Sequence, residues 1–166
     1  MLTVAGIDAS TNKTGISVMS DGELIYYTLI DLHTEKDSMK RIKKMLSSIC
    51  NILDKYSIDE IHMEKAFNKQ NIDTTMKLAN LSGGVMMYCA QNDIKFVHPM
   101  PSEWRSIIGL AQGSKVKRDV LKEEAIKAVK DEYGIDVNDD VAESVLICRS
   151  AFNLPKIKIT EDDLWE

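Results

Sequence analysis

The sequence predicts an α/β layer fold in which a mixed five-stranded sheet is flanked by helices. Leu2–Ile7, Thr14–Ser20 and Glu23–Leu32 are rich in Val, Ile, Leu, Thr and Tyr, which marks three consecutive strands. Beyond them, apolar periods of three to four residues alternate with short apolar runs, so helices and strands take turns along the remaining chain. With 166 residues, 44% of them hydrophobic, the chain has the length of one domain and buries roughly 70% of its unfolded surface without needing staples.

Asp21-Gly22 separates the second and third strands with the residues of a two-residue hairpin turn, so the chain opens as an antiparallel meander. From Met39 the apolar residues fall at Ile42, Met45, Leu46, Ile49, Ile52, Leu53 and Tyr56, one face of a long helix. Its other face carries Lys40, Arg41, Lys43 and Lys44, which read as a solvated surface. Ile58–Met63 is a short strand, Ile72–Gln91 a second helix and Lys95–His98 the fifth strand. Pro99, Pro101, Gly109 and Gly113 punctuate a polar loop. A helix follows from about Lys115 to Tyr133, with Val120, Leu121, Ala125, Ala128 and Val129 inward, and a last one from about Asp139 to Phe152.

The net charge is −5, which taken as an average disfavours a phosphate-rich partner. The average hides an asymmetry. Residues 131–166 hold 10 acids and three bases, leaving residues 1–130 at +2. Residues 1–154 are expected to form the domain and 155–166 an acidic C-terminal tail. Cys50, Cys89 and Cys148 are far apart and set among apolar residues, as buried free thiols of a reducing compartment are. No signal-peptide pattern opens the chain and no apolar run reaches the ~20 residues of a membrane span, so a cytoplasmic protein is expected.

Asp8 ends a strongly apolar strand and precedes the small polar turn Ala9-Ser10-Thr11-Asn12. A turn-forming Asp is a complete bland explanation. Glu64 ends the strand that includes Ile61-His62-Met63 in the same manner, and if the two strands are neighbours their carboxylates emerge at one edge. Asp139, Asp140 and Glu143 open the last helix, where acids complement the helix dipole. Asp140 and Glu143, three apart, share a face and can hold one cation, whereas Asp139 is the better capping candidate. Four carboxylates from two strand ends and one helix are hard oxygen ligands that suit Mg²⁺ or Mn²⁺ rather than zinc.

Ala5-Gly6-Ile7-Asp8, His62-Met63-Glu64-Lys65-Ala66-Phe67 and Asp140-Val-Ala-Glu143-Ser-Val-Leu-Ile together resemble the acidic motifs of RuvC-type Holliday-junction resolvases, within the RNase H-like nucleases. The resemblance spans nearly the whole chain, and phage-encoded compact members are the version it looks most like. It implies an RNase H-like fold, two divalent ions held by Asp8, Glu64, Asp140 and Glu143, and hydrolysis of DNA phosphodiesters in Holliday junctions and other branched DNA that leaves 5′-phosphates. One departure is that the family's last acid is commonly Asp, and here Glu143 stands in its place with a longer arm.

By the same resemblance Phe67 matches an aromatic near the junction centre, where stacking on an unpaired base would contribute ~1–3 kcal/mol. Its bland alternative is a loop Phe covering the core. Lys117 matches a basic residue near the active site, and Arg105 sits close to a second such position. Lys115, Lys117, Arg118 and Lys122 open the helix they precede, whose free amides also suit phosphate. Gly83-Gly84, in the helix that pairs with its counterpart in family dimers, permits close helix approach, so a homodimer is implied. His33, His62 and His98 lack metal-ligand spacing. None is assigned to catalysis, and His62 is expected to point away from Glu64's face or into the core. Two other readings remain. A junction-binding protein without cleavage would not need four acids, and an actin-like or sugar-kinase ATPase would need a second domain.

Overall fold

The computed structural model describes residues 1–65, 71–110 and 116–157. Ten elements follow one another: strands β1 (Thr3–Asp8), β2 (Lys13–Ser20) and β3 (Glu23–Asp31), helix α1 (Ser38–Leu53), strand β4 (Glu60–Met63), helix α2 (Ile72–Gln91), strand β5 (Lys95–Val97), then helices α3 (Pro101–Ile108), α4 (Arg118–Tyr133) and α5 (Asp139–Arg149). The sheet order is β3-β2-β1-β4-β5. β1 pairs antiparallel with β2 and parallel with β4, while β2–β3 is antiparallel and β4–β5 parallel. The expected mixed five-stranded sheet is therefore present.

Asp21 and Gly22 both have positive φ, 48° and 89°, the conformation that a tight hairpin matched to strand twist requires. β1 sits at the centre and is buried on both faces, which is why it reads as an unbroken apolar run. One face of the sheet packs Ala5, Ile7, Ile16 and Val18 against Met45 and Ile49 of α1 and Leu81 and Val85 of α2. The other packs Val4 and Met19 against Trp104 and Ile108 of α3, Ala125 and Val129 of α4, and most of α5. Two cores thus share one sheet in a helix–sheet–helix sandwich.

The stretch expected to be a loop after Pro99 contains α3. Pro101 stands at its start, where the missing amide of proline costs nothing. Gly109 closes it in the left-handed region at φ 88°. Trp104 and Ile108 on its inner side are buried, at 0% and 2% exposure, so tertiary packing sustains a helix too short to stand out by period. α4 starts at Arg118 rather than near Lys115. α5 ends at Arg149 rather than Phe152.

Cys89 and Cys148 are buried and Cys50 is half-buried, all as free thiols. Of the segment expected as a tail, residues 155–157 lie on the domain: the Ile157 amide donates to the Ile108 carbonyl at 2.8 Å, and the Pro155 carbonyl accepts from Arg149. No helix among the described residues is long and apolar enough to cross a membrane.

Candidate active site

The parallel register aligns Ile7 of β1 with Met63 of β4, and the Glu64 amide continues the ladder by donating to the Ile7 carbonyl at 3.1 Å. Asp8 and Glu64 therefore leave neighbouring strands at the same edge. Side chains alternate across a strand, so Asp8 shares the face of Gly6, which is the face covered by α5.

Two glycines let that helix lie unusually close. A Cβ on Gly6 would stand 2.2 Å from the Ser144 carbonyl oxygen, and one on Gly15 would stand 2.0 Å from that of Asp140. Gly15 is the register partner of Asp8 across β1–β2. The first turns of α5 are thus seated directly over the end of β1, and the Ser17 hydroxyl ties them down by donating to the Ser144 carbonyl at 2.8 Å. Asp140 and Glu143 are brought to Asp8 by this contact.

The acids act on one another electrostatically. Burial, followed by the carboxylates of Glu143, Glu64 and Asp140, pushes the Asp8 carboxyl well above the ordinary carboxylate range, and a hydrogen bond with Glu143 adds to the shift. Burial also pushes Glu64 up to about 7, although the Trp104 indole and the nearby Arg105 and Arg118 charges hold it down. Asp140 is raised by burial and by its neighbour Asp139. Carboxylates gathered so that each resists the ionisation of the next form a natural seat for a cation. Their oxygens are hard donors, so the residues present fit a divalent ion of the Mg²⁺ or Mn²⁺ kind. Among the described residues, no group of three or more His, Cys, Asp or Glu side chains is gathered closely enough to hold a metal ion as placed.

α3 supplies the partners of two of these acids. Trp104 Nε1 donates to Glu64 Oε2 at 2.6 Å. Arg105 donates through Nη2 to Glu143 Oε1 at 3.0 Å and to the Leu121 carbonyl, and through Nη1 to Glu124 Oε2 at 3.2 Å. Its guanidinium carbon lies 4.7 Å from the centre of the Trp104 ring. Sequence reasoning missed Trp104, whose only signal is an aromatic in a stretch that otherwise reads as polar loop.

Arg105 corrects an expectation. The resemblance puts it near a basic position beside the active site and so in contact with DNA; it does stand beside Glu143, yet at 3% exposure and bound to two carboxylates it is closed to DNA. Its ion pairs face inward because Glu124 and Glu143, far along the chain, converge on it. Asp139 is a second correction. The cap of α5 is Asn138, whose side chain accepts from the Val141 amide at 3.1 Å, while the Asp139 carboxylate pairs with Lys122. His62 is buried and its Nε2 lies 3.0 Å from Glu60 Oε2. Lying two residues before Glu64, it shares that residue's face of the strand rather than pointing away from it, and of the two expectations the buried one holds.

Lys117 and Arg118 stand exposed at the start of α4, with Arg118 near enough to depress the Glu64 carboxyl. Phe67 and Lys115 lie outside the described residues. On α2, a Cβ at Gly84 would meet Leu46 of α1 at 2.6 Å, so this glycine serves packing within the chain, whereas nothing lies within 4 Å of one at Gly83.

Comparison with known proteins identifies the family and the fold. The family model described as crossover junction endodeoxyribonuclease RuvC matches residues 4–148. A crossover junction endodeoxyribonuclease RuvC from Dictyoglomus turgidum is 25% identical over 154 residues, covering 90% of this chain and 95% of the relative. That of Hydrogenovibrio crunogenus is 28% identical over 120 residues, covering 70% and 69%. Among solved structures, T. thermophilus RuvC in complex with a Holliday junction substrate superposes with a TM-score of 0.72 at 14% identity, covering 90% of this chain and 92% of that one. The yeast mitochondrial Holliday junction resolvase superposes at 0.56 with 21% identity, covering 89% and 76%. The sheet order, the helices on both its faces and a family match over nearly the whole domain lead to one conclusion: this RNase H-like chain belongs to the RuvC family of crossover junction endodeoxyribonucleases.

Proposed function

We propose that the chain is a metal-dependent endonuclease that resolves Holliday junctions by paired nicks, with Asp8, Glu64, Asp140 and Glu143 as its catalytic carboxylates. The observation that carries this reading is the convergence of those four acids at the open edge of the sheet, under an α5 that is seated on Gly6 and Gly15. Its main rival, a junction-binding protein without cleavage, has no use for mutually repelling carboxylates held together at the expense of their ionisation.

Two divalent ions at these carboxylates would supply charge stabilisation for the attacking water and the departing oxygen. The chain's own groups do the rest. Trp104 and Arg105 fix the orientation of Glu64 and Glu143. Lys117 and Arg118, exposed at the start of α4 with Arg118 near Glu64, hold the scissile strand by its phosphates, with Lys115 preceding them in sequence. Phe67, three residues after Glu64, stacks on a base at the junction centre. Hydrolysis adds water across the P–O3′ bond. One product ends in a 3′-hydroxyl and the other keeps the 5′-phosphate, so the nicks are ligatable.

Two opposed strands require two sites, and a two-fold dimer provides them. Its contact is the outward face of α2, where Ile72, Met76, Met86 and Met87 are exposed beside the open Gly83. A charge placed there, as in Met76→Glu, is expected to convert the dimer to a monomer in sedimentation and to leave single nicks in place of paired ones. The function itself is tested with 5′-labelled four-way DNA. Symmetric, ligatable cuts that need Mg²⁺ or Mn²⁺ are expected, and cutting that is independent of metal, or no cutting of any branched DNA, would reject the reading.

A further inference from the structure

The sheet order lays charged groups along one edge in a definite sequence. Glu64, with Arg118 near it, follows β4. Asp8 ends β1, and Lys13 opens β2 two residues before Gly15, the register partner of Asp8. β3 ends beside Lys13, since Lys13 and Asp31 are register partners and their side chains approach to 3.6 Å. The next residue, Leu32, donates its amide to the carbonyl of Asn12, in the turn that follows Asp8, at 2.7 Å.

Leu32 is also one wall of a cavity of about 450 Å³, completed by Lys40, Lys43, Lys44, Ser47 and Ser48 of α1. The three lysines lie at i, i+3 and i+4 and so share one face of the helix. The opposite face is pinned to the core by Ile42, Met45 and Ile49. Lys44 pairs with Glu35. Asp37 turns its carboxylate to the Lys40 backbone amide as the helix cap. Among the described residues Lys40 and Lys43 form no ion pair, although Lys40 is near enough to Glu35 to help lower its carboxyl, so the rim of a largely apolar cavity carries positive charge.

Each strand-to-strand step is ~4.8 Å, which puts the end of β3 about 10 Å across the sheet from the strand that carries Asp8. That is less than the ~12 Å width of a DNA major groove. The cavity opens at the same strand edge as Asp8 but on the sheet face covered by α1, so a nucleic-acid backbone leaving the carboxylates reaches it by rounding the end of β3.

We propose that the lysine-lined cavity between the end of β3 and α1 is a phosphate-contact site for an arm of the branched DNA. It completes a track in which bases flank the acids on both sides. The proposal rests on the reading of the chain as a branched-DNA nuclease. The occupant is the DNA backbone: two unpaired lysines beside a turn that leads straight from Asp8 would extend the grip on a polymer already held there.

The test uses the full chain in EDTA, with fluorescent four-way DNA titrated across a range of salt. Lys40→Gln/Lys43→Gln is expected to weaken binding by roughly tenfold or more near 0.1 M salt and to lower the slope of log K against log salt by about 1.8, or about 0.9 for each phosphate that is no longer neutralised. Lys127→Gln/Lys130→Gln removes two lysines of α4 that are already paired with Asp131 and Asp136 and is expected to keep the wild-type slope. A slope for the Lys40/Lys43 variant equal to that of wild type or of the α4 variant would overturn the proposal. The wild-type protein gives a second readout by lysine acetylation and mass spectrometry. Four-way DNA is expected to protect Lys40 and Lys43, and millimolar inorganic phosphate is not. Equal protection by phosphate would mean a small-anion site, and no protection by DNA would mean no contact; either overturns the proposal. Failure of the wild-type chain to bind branched DNA at all would instead reject the function on which it rests.

Discussion

Arg105 Nη2 donates to Glu143 Oε1 at 3.0 Å, and the same buried guanidinium is held from its other side by Glu124. Glu143 occupies the position where the resemblance leads one to expect the shorter Asp, and its additional methylene is what carries a carboxylate oxygen to Arg105. The planar fork of Arg fixes both carboxylates at once, which a Lys ammonium does not do.

Arg105→Lys is therefore expected to weaken Mn²⁺ binding by about tenfold or more, the usual cost of losing a partner that orients a ligand. In a Glu143→Asp background the same change is expected to do almost nothing, because the shortened acid no longer reaches residue 105. Paramagnetic resonance of free Mn²⁺ across the four combinations measures the coupling. Additive effects would reduce Arg105 to a structural core residue.

Crowded acids also set a pH dependence. Glu64 titrates near 7 in the fold against an ordinary 4.5, and Asp8 is likewise raised. Below the ordinary values both states are protonated and nothing is lost. As pH rises through the folded value, the native state must ionise groups that resist it, so the metal-free protein loses stability between about pH 5 and pH 8. A divalent ion binds the ionised form. Mg²⁺ is expected to raise the melting temperature more at pH 8 than at pH 5, and an equal increment at both would contradict the placement of these groups as ligands.

Gly15 is required by contact rather than by its torsion angles. A methyl group there would overlap the Asp140 backbone, which cannot move without carrying Asp140 and Glu143 away from Asp8. Gly15→Ala is expected to cost about 1–3 kcal/mol by denaturant titration, as overpacking does, and to reduce cutting of four-way DNA more than it reduces binding. A variant with wild-type stability and activity would show that α5 does not need this seat.

Much of the site is legible in the sequence. Asp8 and Glu64 announce themselves as carboxylates at the ends of apolar strands, and Asp21-Gly22 as the hairpin turn, because these are local patterns with a period. α3 is not legible. Two prolines and a glycine bracket it, and its eight residues gain their helical state from burying Trp104 against the sheet. Nor is the inward fate of Arg105, since its partners lie 19 and 38 residues away. Asn138 takes the cap expected of Asp139 because Lys122, on another helix, claims the acid. Each miss concerns a contact between elements distant in sequence.

The most direct test of the central claim is to measure binding and cutting of four-way DNA side by side for the wild-type chain and Asp8→Asn. The amide keeps the shape of the buried side chain and removes a charge that the fold resists, so the variant is expected to fold and to bind junctions at least as well as wild type, with no cutting in Mg²⁺ or Mn²⁺. Cutting by Asp8→Asn at a rate comparable to wild type would contradict the assignment of this strand-end carboxylate to catalysis.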